Sequence, residues 1–135
     1  VQAPFDRTWN AVIDQFAQQV ITIETMERAS GFIVASREGI PTRTRADSTA
    51  GLRLADCGTG PAGAMQDRSA PFLPMSAKYN VLVREAGATS TVLVTARFVS
   101  TRGAETIECS SKGAFESAFE EAVRQRAEGT PAPSR

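Results

Sequence analysis

The sequence predicts an α+β domain: an antiparallel sheet of about five to six strands, with N- and C-terminal helices packed on one face in a helix-grip-like arrangement. Three observations predict it. Apolar residues recur at helical spacing near both ends of the chain. Between those ends the apolar residues alternate with polar ones, as in half-buried strands. Several of the strands are joined by turns too short for parallel pairing. The 135 residues suit a single domain, read as 1–128, followed by a disordered tail over 129–135.

Asp6 is the expected N-cap of a helix over about residues 6–19. Trp9, Val12, Ile13, Phe16 and Val20 share one face of it, opposite Asp14, Gln15, Gln18 and Gln19. Trp9 is expected to pack against the sheet. Residues 20–27 switch to period two, with Ile21 and Ile23 between Thr22 and Glu24. A turn at Arg28–Gly31 leads to a second strand, Phe32–Ser36, so 20–36 reads as a hairpin. From Arg37 to Gly51 the alternation dissolves around Gly39 and Pro41, the mark of an exposed loop. Leu52–Cys57 alternates again, and residues 58–75 form a long Gly- and Pro-rich connection. A three-strand meander follows: Ala77–Glu85, Ser90–Val99 with Val92, Val94, Ala96 and Phe98 on one face, and Glu105–Ser110. The last helix starts near Gly113 or Ala114 and runs to about Ala127, with Phe115, Ala118, Phe119, Ala122 and Val123 on its apolar face.

Composition removes several functions. Fifteen basic and fifteen acidic residues balance, so nucleic acid and anionic membrane surfaces are not expected partners. The chain contains no histidine. That closes serine–histidine and cysteine–histidine nucleophile pairs and the usual zinc sites. No cofactor and no metal are expected, and the domain is expected not to be an enzyme. The remaining enzymatic route is carboxylate or lysine chemistry, which would need a cleft gathering Asp56, Glu108, Lys78 or Lys112. No apolar run is long enough to span a bilayer. Val1–Pro4 leads almost directly into the helix pattern, as in a chain whose leader has been removed.

Cys57 and Cys109 sit at or near the ends of predicted strands, beside polar, turn-like residues. They are either two buried thiols or a disulfide. A bridge would stabilise the fold by roughly 4 kcal/mol if it acts through chain entropy, and it would imply a periplasmic or extracellular home. We expect the disulfide. The glycines of Cys57–Gly63 resemble a phosphate loop in composition only, because no Gly-Lys-Ser/Thr and no helix pattern follow. Ser110-Ser111-Lys112 is better explained as a helix cap than as a serine–lysine pair, because Lys112 should stay solvated. Arg37, Arg43, Arg45 and Arg53 lie in or beside the first long loop and offer forks to an anionic partner surface. Glu120 and Arg124 are spaced for an i,i+4 pair on the solvated face of the last helix. Phe72, Leu73 and Met75 are apolar residues in a polar loop. They either fold back over a core edge or await a partner.

Two stretches resemble envelope lipoproteins of Gram-negative bacteria. Phe5–Ile13, Ile21–Ile23 and Ser30–Ile33 set a tryptophan-led helix before a strand and a glycine that opens the next strand. This resembles the repeated domain of BamC, a lipoprotein of the outer-membrane β-barrel assembly machinery. Glu108–Glu116 is similar to a strand-to-helix junction of small outer-membrane lipoproteins. The resemblance implies a non-catalytic interaction or scaffold module in the periplasm or at the outer membrane. It also implies an envelope protein partner, and membrane contact only through a removed N-terminal lipid anchor. Phe72, Leu73, Met75, Arg43 and Arg45 are the expected partner-binding residues. The alternative is a cavity between sheet and helices that binds a lipid or other apolar small molecule.

Overall fold

The structure is a computed structural model that describes residues 1–40, 55–56, 75–102 and 105–129. Its elements are α1 (Phe5–Gln18), β1 (Thr22–Glu27), β2 (Phe32–Ile40), β3 (Ala55–Asp56), β4 (Met75–Ala86), β5 (Thr89–Arg102), β6 (Glu105–Ser111) and α2 (Ala114–Glu128). Among the described residues the strands lie in the order β1-β2-β4-β5-β6-β3. β1–β2, β5–β6 and β3–β6 pair antiparallel. The α+β class expected from the sequence holds, with a helix at each end of the sheet sequence. The chain divides into two compact units. One comprises 1–36, 79–95 and 116–135, the other 37–78 and 96–115.

In the first unit both helices cover the same sheet face. Tyr79, Val81 and Val83 of β4 are buried at every second position, as the pleat requires. Phe16 of α1 meets Tyr79 at 6.3 Å between ring centroids and Phe119 of α2 at 4.6 Å. These three rings are among the largest fully buried side chains. Phe119, Val123 and Ala127 recur every fourth residue along α2, so one narrow stripe is buried. Ala118, expected on that stripe, is exposed because it lies one residue round the helix. Trp9 is buried, as expected, and its ring stacks on Phe5 at 5.6 Å.

The start of α1 corrects one expectation. Its N-cap is Pro4, extended and without a side-chain cap, and Asp6 stands in the first turn. There its carboxylate faces the positive end of the helix dipole and pairs with Arg28. The segment before the helix is fastened by a buried hydroxyl relay. Ser90 donates to the Ala3 carbonyl at 2.9 Å, which leaves the Thr8 hydroxyl to donate to Ser90 Oγ at 2.6 Å. Ser90 and Val1 also exchange backbone hydrogen bonds.

The end of α1 corrects another. The Ile21 N–H bonds to the Phe16 carbonyl and the Val20 N–H to the Ala17 carbonyl. That is the Schellman closure, and its left-handed position usually holds glycine. Here Val20 occupies it, with φ +58, and is 84% exposed rather than on the buried helix face. A β-branched residue is strained in this conformation. Val20→Gly is therefore expected to stabilise the protein by about 1 kcal/mol, read as a higher urea midpoint at unchanged slope. A lower midpoint would show that the side chain makes contacts worth more than the strain.

In the second unit, Met75 and Ala77 of β4 and Phe98 and Ser100 of β5 are buried, with Ile40, Ala55, Cys109 and Phe115. β5 and β6 run in register from Phe98↔Cys109 to Arg102↔Glu105. β2 continues four residues past its expected end at Ser36. Gly39 adopts φ +67 within it, the left-handed conformation found at glycine bulges, and Ile40 returns to the interior.

Candidate functional site

Because the helices occupy one face of the first unit's sheet, alternation sends the remaining side chains of β4 and β5 to the other. Leu82, Arg84, Thr91, Leu93 and Thr95 stand there. Leu93 is 58% exposed, and Leu82 is half-buried. The signal for Leu93 was present in the sequence: if Val92 and Val94 bracket it on the inner face, Leu93 points out.

The edges of this unit are less open than its face. Ser90 is bonded to Val1, and the Val94 N–H donates to the Glu120 carboxylate at 3.1 Å. These contacts close backbone positions of β5 that would otherwise invite another strand. At the other edge, β1 has a register irregularity between Ile23 and Thr25 and exposes Glu24 and Glu27. A bulge and charges are the usual devices against strand addition. Met26, on the same strand, is 53% exposed.

The exposed side of α2 is an ion-pair ladder. Arg124 pairs with Glu121, and with Glu128 at 3.0 Å. Glu120, expected as the i,i+4 partner of Arg124, is instead bound to the Val94 N–H, because helix position 120 faces β5. The Arg124 hydrogen bond, helped by that of Gln125, holds the Glu121 carboxyl below its ordinary value. Glu128 is lowered chiefly by the Gln2 N–H, which donates to it at 2.6 Å. All of these groups face water, so they add little to stability.

The expected site residues fare differently. Met75 is 1% exposed in β4, so it folds into the core, and its role as a partner contact is corrected. It follows the alternation of Ala77 and Tyr79, which extends the strand two residues before its expected start. Cys109 is buried on β6. Cys57, Phe72, Leu73, Arg43 and Arg45 lie outside the described residues, as do the glycine-rich segment after Cys57 and the tail from 130.

Catalytic groupings are sparse. Glu108 pairs with Arg97 at 2.6 Å on a largely exposed surface. Lys112 is exposed, and the Ser111 hydroxyl accepts a hydrogen bond from the Gly113 N–H at 3.1 Å. Ser111 thus helps shape the strand-to-helix junction, as expected of a cap, although its partner precedes the first helical residue. Among the described residues, no three His, Cys, Asp or Glu side chains are grouped to hold a metal ion. No helix among them is long and apolar enough to cross a membrane, a statement that leaves β-barrels aside. No protein-family model, curated protein or solved structure matches the chain.

Proposed function

We propose that the chain is a non-catalytic interaction module of the cell envelope, in the manner of the lipoproteins it resembles, with a bridge between Cys57 and Cys109. The observation that carries the interaction reading is the division of the first unit's sheet into a filled face and an open one. Phe16, Tyr79 and Phe119 fill the space beneath the helices. The outer face instead offers Leu93 to solvent. Recognition on that outer face needs no catalytic group and no internal cavity. The alternative, an apolar ligand between sheet and helices, has less support for the same reason.

The interaction reading is tested with a photo-crosslinking amino acid at Leu93, in the protein expressed in its own host. An equivalent probe at Lys112 serves as the control. A discrete crosslinked protein at position 93, competed away by excess wild-type domain but not by Leu93→Ser, is the expected result. Equal labelling at both positions would overturn the outer-face assignment. A stoichiometric co-purifying apolar compound in native mass spectra would favour the alternative.

Support for the bridge comes from the β3–β6 register. Ala55 faces Ser111 and Asp56 faces Ser110, and a ladder continued by one step has Cys57 opposite Cys109. Directly opposed residues in antiparallel strands have Cα atoms about 4.5–5.5 Å apart, within the roughly 4.4–6.8 Å that a disulfide spans. The expected intact mass after alkylation without reduction is that of a monomer with no added groups. Two added groups would mean free thiols and would remove the argument for export, leaving an interaction module of undetermined compartment.

A further inference from the structure

We draw no further inference here: the strongest candidate, the open hollow between the start of α1 and the β1–β2 turn lined by Phe5, Arg28, Gly31, Arg84 and Glu85, selects no ligand chemistry, because Asp6 and the Phe5 ring already engage the Arg28 guanidinium and Glu85 offsets the charge of Arg84.

Discussion

Gly31→Ala is expected to destabilise the protein by roughly 3 kcal/mol, a large share of the about 5–15 kcal/mol typical of a folded domain. Two effects add at this position. Gly31 closes the β1–β2 turn at φ +72, and an alanine in the left-handed region costs about 1 kcal/mol or somewhat more. The second effect is close approach. The Gly31 carbonyl accepts a 2.7 Å hydrogen bond from the Val83 N–H, so turn and strand lie backbone to backbone. An added Cβ would run into the Val83 carbonyl oxygen and would also touch the Phe5 ring at 3.5 Å. Neither backbone can yield without losing the β2–β4 contact that follows the turn. Gly87→Ala separates the two effects: Gly87 has φ +69, but nothing lies within 4 Å of its would-be Cβ. Its urea midpoint should fall by the equivalent of about 1 kcal/mol only. Equal losses at both sites would mean that the turn can draw back from Val83 at little cost.

Much of this architecture was legible in the sequence because the two periods differ so plainly. The helix after Pro4, the 28–31 turn, the meander from residue 77 and the last helix all follow from apolar spacing. The failures share a cause: each depends on a backbone state or a tertiary partner that periodicity does not encode. Val20 continues the i,i+4 stripe from Phe16, but the Schellman closure rotates it into water. Arg37-Glu38-Gly39 reads as the start of a loop, and only a positive φ at Gly39 lets the strand reach Ile40. Glu120 and Glu121 are both spaced to meet Arg124, and the Val94 N–H decides between them. Met75 sits beside Pro74, which hid a strand beginning there. The candidate surface was half legible. Strand parity points Leu93 outward, but the extent of open sheet depends on where α1 and α2 lie, which no local pattern reports.

Phe16→Ala is expected to cost about 3–5 kcal/mol. The ring is fully buried and stands between Tyr79 and Phe119, so its removal loses transfer energy and two aromatic contacts together. It also anchors the end of α1, because the Phe16 carbonyl accepts the Ile21 N–H of the helix closure. Ile21, buried beside that closure, can slide only by breaking it, so collapse into the vacancy should be partial. The cost therefore belongs in the upper half of the range, read as a lower urea midpoint with near-native far-UV circular dichroism below the transition. The same variant also separates the two functional readings. If recognition lies on the outer face, a folded Phe16→Ala protein below its unfolding transition keeps the Leu93 crosslink, and a small aromatic such as benzene, added to fill the vacancy, raises its midpoint without affecting wild type. If the space beneath the helices is the binding site, the wild-type protein should respond to apolar ligands as well. In that case enlarging the space at Phe16 should change ligand affinity, and the Leu93→Ser protein should bind as wild type does. A midpoint loss under about 1 kcal/mol would contradict the burial of the ring itself, since even a well-relaxed Phe-to-Ala cavity costs more.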